Sequence, residues 1–277
     1  MGIYITVDLG TYTENVDVTK SLTIKSTSGN PADTIVRAKN PDDHVFKVSA
    51  DHVSIIGFTT ENATGLDYAG IYLYYADYCN ISNNIASNNY YGIYLASSSN
   101  NKIYNNTASN NDYGIYLASS SNNRIYLNNF INNTDNVYSS ASTNIWNSTE
   151  KITYTYNGNT YTNYLGNNWS DYSGSDADGD GIGDTPYSID GDKDNYPLMM
   201  PFENYIIAPE VAIFDTGSPL DPYPSISGMH NGTITPNQTI TVSMLYTYPC
   251  AGTGGHTEYA RIWNKTWNAT ATWDGYT

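Results

Sequence analysis

The sequence predicts an all-β chain whose first two-thirds winds as a coil of about 22 residues per turn, with a smaller β-sandwich-like piece after it. Three observations predict this. The composition is poor in helix formers and rich in Asn, Ser, Thr, Tyr and Gly, with 35 Asn and 28 Tyr among 277 residues. Gly70-Ile71-Tyr72-Leu73 recurs as Gly92-Ile93-Tyr94-Leu95 and as Gly114-Ile115-Tyr116-Leu117, 22 residues apart each time. Within each copy, apolar residues alternate with polar or aromatic ones, so Ile93 and Leu95 face one way and Tyr94 the other.

The rest of each copy keeps the same step. Ile81, Ile103 and Ile125 align, as do Asn84, Asn106 and Asn128, and Asn88, Asn110 and Asn132. A decayed copy starts at Asn136-Val137-Tyr138-Ser139, and an irregular one precedes the set at Val45-Phe46-Lys47-Val48 and Val53-Ser54-Ile55. Hairpins this short bury little. A coil in which each copy is one turn pairs its strands in parallel with the turns above and below, about 4.8 Å away, and stacks Ile and Leu inside. Asn at each bend tolerates a left-handed backbone. The column Asn84, Asn106 and Asn128 is expected to form a structural ladder of stacked amides. A leucine-rich solenoid of similar period would need an L-x-x-L-x-L framework that these copies lack.

Charge excludes several functions. The formal net charge is −16 and only 14% of residues are charged. Phosphate binding needs clustered Lys and Arg, so nucleic acid is not an expected partner. No apolar run is long enough to insert in a membrane. The two cysteines, Cys79 and Cys250, lie far apart and are not expected to pair.

Downstream of the copies, Lys151–Tyr156 and Thr160–Tyr164 flank Asn157-Gly158-Asn159, which predicts a hairpin over 150–165 that covers the last turns. An Asp-rich capping loop follows over 171–196. Within it, Asp176, Asp178 and Asp180 occupy positions 1, 3 and 5, Gly181 position 6, Ile182 position 7 through its carbonyl, and Asp184 position 9 of a calcium-loop order. Position 12 is Tyr187 where a bidentate Glu would complete the set, so a further ligand is expected from Asp190, Asp192 or Asp194, or from water. Closely packed carboxylates repel without a cation, and a structural Ca²⁺ is the expected cofactor.

The Gly-Ile-x-Leu, Ser-Asn-Asn-x-Ile and Asn-Asn pattern resembles the NosD-type right-handed, single-stranded parallel β-helix, also called the CASH type (carbohydrate-binding proteins and sugar hydrolases). Gly10–Val16 with Lys20–Ile24 resembles that family's opening turns, and Gly166–Tyr172 with Asp194–Leu198 its closing region. The likeness spans about residues 2–202. It implies domains at 1–202 and 203–277 and a place among archaeal, methanogen-like cell-surface proteins.

Tyr72, Tyr94, Tyr116 and Tyr138 form an outward column that suits sugar rings, though ordinary packing of a β surface gives the same pattern. Ten Asn-x-Ser/Thr triplets occur, four of them (Asn231, Asn237, Asn264 and Asn268) in the last 47 residues, as in a secreted glycoprotein. The favoured function is therefore non-enzymatic: a secreted or cell-surface structural or carbohydrate-binding protein whose partners are glycans or neighbouring surface proteins. A polysaccharide lyase or hydrolase acting on acidic glycans is the alternative. Lys102 and Arg124 occupy equivalent positions, but no paired carboxylates recur with the repeat. A copper-related periplasmic role, which the NosD name implies, is a second alternative; His44, His52, His230, His256 and Met199-Met200 are too scattered to converge on copper.

Overall fold

The computed structural model describes residues 3–207, 259–263 and 268–272. The chain divides into two units, 1–208 and 209–277.

The first unit is a parallel β-helix with three strands per turn. One sheet stacks Tyr4–Val7, Thr23–Ser26, Ser54–Ile56, Asn80–Ser82, Lys102–Tyr104 and Arg124–Tyr126. A second runs from Gly10–Thr13 through Thr34–Arg37, Thr59–Glu61, Ile85–Ser87, Thr107–Ser109 and Asn129–Ile131 to Asn168–Trp169. The third holds Val16–Val18, Phe46–Val48, Ala69–Tyr74, Tyr91–Ala96, Tyr113–Ala118 and Asp135–Ser140. All pairings in these sheets are parallel, and the register matches the sequence repeat: Ile71, Ile93 and Ile115 lie side by side, as do Ile81, Ile103 and Ile125. The decayed copy at Asp135–Ser140 and the irregular one at Phe46–Val48 hold their expected places in the third sheet.

The inward residues of the three sheets make one continuous core. Ile71, Ile93, Ile115, Ile81, Ile103, Ile125, Leu73, Leu95 and Leu117 are all fully buried. Each is worth about 1.5–3 kcal/mol of burial. Trp146 and Trp169 close the core at its C-terminal end, with Phe130 stacked on Trp169 at 4.5 Å. The glycine that opens each Gly-Ile-Tyr-Leu copy is required by close approach of the chain. A Cβ on Gly92 would lie 2.5 Å from the Gly114 carbonyl oxygen and 2.9 Å from the Asn111 amide nitrogen.

The expected hairpin is present. Ile152–Tyr156 pairs antiparallel with Asn159–Asn163 across Asn157-Gly158, both with positive φ. Ile206–Ile207 adds a third strand. Tyr154, Tyr156, Leu127, Leu165, Ile182, Leu198 and Tyr205 form a second apolar cluster that joins this small sheet to the last turns. Tyr187–Ile189 and Asp192–Asp194 form a two-stranded antiparallel ribbon within the capping segment.

Of the second unit, the described residues are one antiparallel pair, Tyr259–Trp263 with Asn268–Thr272. The remainder of the expected β-sandwich module, with Asn231, Asn237 and Asn264, lies outside the described residues; Asn268 opens the second strand of the pair.

Candidate functional site

The tyrosine column forms as expected, with Tyr72, Tyr94, Tyr116 and Tyr138 in direct register on the outside of the third sheet. The rings lie on one another. Tyr72 and Tyr94 stack at 4.7 Å, Tyr116 and Tyr138 at 4.6 Å, and Tyr94 meets Tyr116 edge-on at 5.1 Å. His44 stacks on Tyr72 at 4.1 Å and ends the column. Burial is the main reason the phenols of Tyr72, Tyr94 and Tyr116 are pushed above the ordinary tyrosine range. A sugar needs a ring face, and here neighbouring tyrosines occupy the faces. The geometry therefore gives the column a packing role, with Tyr138 its most exposed member.

Beside it, at the bend between the second and third sheets, lies an open polar groove of about 460 Å³. Its floor repeats along the coil axis: Asn88, Asn110 and Asn132, exposed and all at positive φ near 55°, occupy the same corner of successive turns. Thr64, Tyr90, Asp112 and Thr134 line it as well, with Asn89 and Asn111 of the buried ladder at its back. Tyr90 packs edge-on against Tyr91 at 4.7 Å, and the Tyr91 hydroxyl donates to Asp67. The sequence shows the three asparagines as turn residues. The period also aligns positions 90, 112 and 134, but they carry Tyr, Asp and Thr, so the chemistry of the groove was not legible as a repeated residue type.

Behind the groove and along two other corners, buried side chains form ladders. Asn84, Asn106, Asn128 and Asn167 pass hydrogen bonds turn to turn, each amide donating to the next Oδ1 at 2.9–3.1 Å. The expected three-residue ladder thus gains a fourth rung at Asn167, outside the 22-residue step. Two further ladders run through Asn89, Asn111 and Asn133, and through Asn101, Asn123 and Asn144. Ser98, Ser120 and Ser142 make a hydroxyl version.

In the capping segment, Asp176, Asp178 and Asp180 bring carboxylate oxygens within 4.8 Å of one another. The loop is wound by its own backbone. Asp176 accepts from the amides of Gly179, Asp180 and Gly181, Asp178 from that of Asp180, and Asp180 from that of Ile182. Burial first, then the neighbouring carboxylates, raise the Asp180 carboxyl. Asp184 turns back to Ser175 and Ala177 and is outside the trio. Ile182 is buried in the second apolar cluster, and the Tyr154 hydroxyl donates to the Asp180 carbonyl at 2.9 Å. The loop is thereby fixed to both the hairpin and the end of the coil.

The structure places Asp190, Asp192 and Asp194 elsewhere, Asp192 and Asp194 at the ends of ladders and Asp190 against the last strand of the third sheet. The Asp194 carboxylate accepts from the backbone and side-chain amides of Asn167, from the Trp169 indole and from the Tyr196 amide. It is completely buried, which raises its pKa to about 6, and these donors oppose the rise. Asp192 accepts from the Asn144 amide at 2.7 Å and from the Trp146 indole. Asp190 accepts from the Ser139 amide. Asp171 takes the side-chain amide of Asn136, next in line after Asn133.

The copper that the NosD name implies does not fit the described residues. His44 is buried, accepts the Ala69 amide through Nδ1 and has a pKa lowered to about 4 by that burial. His52 stacks on Tyr78, and the Cys79 thiol is pushed up to about 11 by burial. Among the described residues, the group of His, Cys, Asp or Glu that converges is the oxygen-only Asp176, Asp178 and Asp180 set, which is hard-cation chemistry.

With this geometry, the coil and its cap define a parallel β-helix protein. The family model described as periplasmic copper-binding protein (NosD) matches residues 47–174, the stretch that carries the regular turns. No curated protein matches the sequence. Among solved structures, a pectin methylesterase from Aspergillus niger in deglycosylated form matches with a TM-score of 0.29 and 12% identity, over 51% of this chain and 67% of that one. A likeness this slight carries no argument about substrate or activity.

Proposed function

We propose that this chain is a non-enzymatic, secreted or cell-surface carbohydrate-binding β-helix, with a calcium-stabilised loop closing its C-terminal end. The observation that carries the reading is the groove of Asn88, Asn110 and Asn132. It offers amide donors and acceptors repeated at the turn spacing, flanked by threonine hydroxyls and the Tyr90 ring. Stacked turns are about 4.8 Å apart. Sugar hydroxyls along an extended chain meet such an array as both donors and acceptors, with an aromatic ring for an apolar face. One carboxylate, Asp112, lines the groove, whereas glycoside hydrolysis employs a flanking pair. This supports a binder over a hydrolase.

For the loop, three carboxylates on one hydrogen-bonded turn supply the oxygen donors calcium prefers. The loop's attachment to Tyr154 and Ile182 gives a bound ion leverage on the whole cap. An extracellular setting accords with exposed sequons at Asn62 and Asn132; the one at Asn168 is buried in the folded coil.

The test is a panel of neutral oligosaccharides screened against the protein and against Tyr90→Ala and Asn110→Gly. Glycine accepts the positive φ at position 110, so that variant removes the amide without straining the bend. Binding that both substitutions weaken by about tenfold, the effect of about 1.4 kcal/mol, supports the reading. No binding to any neutral or acidic glycan would refute it.

A further inference from the structure

The first sheet carries a feature that the groove does not use. Lys102 and Arg124 are register partners on its outer surface, one turn apart, in a chain with only 11 basic residues and a net charge of −16. Like charges directly opposite each other on adjacent strands are unfavourable. Among the described residues, the one ion pair within 4.0 Å is Arg37 with Glu61 on the second sheet, so neither Lys102 nor Arg124 has a carboxylate partner. The Arg124 Nε is sealed from solvent with no acceptor, and so is the Asn80 Oδ1 with no donor, on the strand before Lys102.

The two residues beyond this pair on the same outer face are Tyr104 and Tyr126. Their rings stack at 5.6 Å, with 10° between planes. The Lys102 ammonium sits 4.2 Å from the Tyr104 centroid and 5.6 Å from that of Tyr126. The rings hold the cation in place without neutralising it. Two unneutralised cations and the half-buried Tyr104 ring thus share one patch of the sheet, while Tyr126 is buried in the second apolar cluster behind it.

We infer that Lys102 and Arg124 form a subsite for the oxyanion of an acidic glycan, a sugar-borne carboxylate or sulfate, with the half-buried Tyr104 beside it for the sugar ring. The deduction rests on the glycan-binding reading above and names the class of glycan. The guanidinium matches a planar carboxylate or a sulfate edge with two parallel N–H donors, and the ammonium adds a point charge next to it. Nucleic acid is disfavoured, because two cations on a strongly acidic chain do not make a phosphate-tracking surface.

The test compares neutral oligosaccharides, their uronate-containing and sulfated counterparts, and inorganic sulfate alone. The proteins are the wild type, Lys102→Gln, Arg124→Gln and the double variant, with melting curves as a folding check. The charge-preserving pair Lys102→Arg and Arg124→Lys guards against loss of the fold. Acidic glycans should bind the wild type about tenfold tighter than neutral ones in dilute buffer. That advantage should disappear in about 1 M salt, where the screening length is roughly 3 Å. The double Gln variant should also abolish it while neutral binding persists, and the charge-preserving variants should keep most of it. Equal affinity for acidic and neutral glycans, or a preference that survives the double substitution, overturns this inference and leaves the groove reading standing. Inorganic sulfate binding as tightly as the sulfated glycan also overturns it, since the site would then recognise a free ion. Failure of every glycan, neutral and acidic, overturns both.

Discussion

The amide ladder makes a sharp prediction about Asn106. Its side chain is 1% exposed and takes part in five hydrogen bonds. Nδ2 donates to the carbonyls of Ile81 and Tyr104 and to Asn128 Oδ1, while Oδ1 receives the backbone and side-chain amides of Asn84. Asn106→Ala removes all five and leaves the buried Asn84 backbone amide without an acceptor. A buried orphan costs about 1–3 kcal/mol, and each net hydrogen bond is worth about 0.5–1.5 kcal/mol. Some of the groups left behind keep other partners, since Asn84 Nδ2 also reaches the Ile55 carbonyl and Asn128 Oδ1 also receives the Asn106 backbone amide. The expected loss is therefore about 3–5 kcal/mol. Urea unfolding followed by circular dichroism measures it, and hydrogen exchange at the Asn84 amide localises it. Asn106→Asp separates the two halves of the amide. It keeps the acceptor for Asn84 but opposes the Asn128 oxygen with a carboxylate, so it should be severe at pH 7 and milder in acid. A loss below about 1 kcal/mol for Asn106→Ala, in the range of a single ordinary hydrogen bond, would refute the ladder as a principal support of the coil.

Three further predictions follow from other sites. If the loop holds calcium, a free concentration of 100 times the dissociation constant adds about 2.7 kcal/mol, and melting should rise by roughly 5–10 °C. A chelator should reverse that rise and Asp178→Ala or Asp180→Ala should abolish it; identical melting with calcium and with chelator would rule the ion out. Gly92→Ala should destabilise by about 1–3 kcal/mol through overpacking, since its Cβ meets the Gly114 backbone and not a movable side-chain tip; unaltered unfolding would contradict the close approach. His44 resists protonation down to about 4, whereas the unfolded chain takes the proton near 6.5. Its contribution is therefore intact above pH 6.5 and declines as the pH falls towards 4. His44→Gln, which keeps an acceptor for Ala69, should gain on the wild type by about 2 kcal/mol between pH 7 and pH 5, at about 1.4 kcal/mol per unit. Asp194 works in the opposite sense: raised to about 6, it favours the folded state progressively as the pH falls from 6 to about 4. The variant comparison is therefore the informative one, and a constant difference between the two proteins across that range would exclude the His44 effect.

The coil was legible because its determinants are local and periodic. Strand alternation fixes which of Ile93, Tyr94 and Leu95 turns inward, and the 22-residue step fixes the partner of each. Gly70, Gly92 and Gly114 were visible as a column, though not the backbone approach that demands them. The hairpin was legible from Asn157-Gly158, which carry the two positive φ values of its turn. What spacing alone cannot show is how outward or buried polar groups divide their contacts. Tyr72, Tyr94 and Tyr116 repeat as a sugar platform would, yet the distances show rings packed on rings. Asp190, Asp192 and Asp194 stand close in sequence to the Asp176 loop and read naturally as further ligands. Their partners, Ser139, Asn144 and Asn167, lie 27–51 residues earlier, and no local pattern connects them. The groove combines a column of one residue type, Asn88, Asn110 and Asn132, with a second column at the same step, Tyr90, Asp112 and Thr134, whose residue types differ.

The ladders also explain why the closing segment is built from aspartates. Every rung has the same polarity along the ladder: its oxygen receives protons from the preceding turn and its backbone N–H donates to the following one, while the side-chain amide, as at Asn106, donates both forward to the next oxygen and back to a carbonyl of the preceding turn. At the N-terminal side this is easily satisfied, because Phe58, Ala63 and Cys79 simply donate their backbone amides into the first oxygens. At the C-terminal side the last rungs, Asn144 and Asn167, present donors and need acceptors. Another Asn could accept with its oxygen but would bring fresh N–H groups to be satisfied in turn. An ionised Asp accepts on both oxygens and donates nothing, so it ends the series. Asp194 does this for both donors of Asn167, Asp192 takes the backbone amide of Asn144 but leaves the Asn144 Nδ2 without a partner, and Asp171 receives the amide of Asn136 beyond the third ladder. The cap is thus matched to the direction of the coil and not to its length. Any number of 22-residue copies could precede it, since each presents the same outgoing donors as the last.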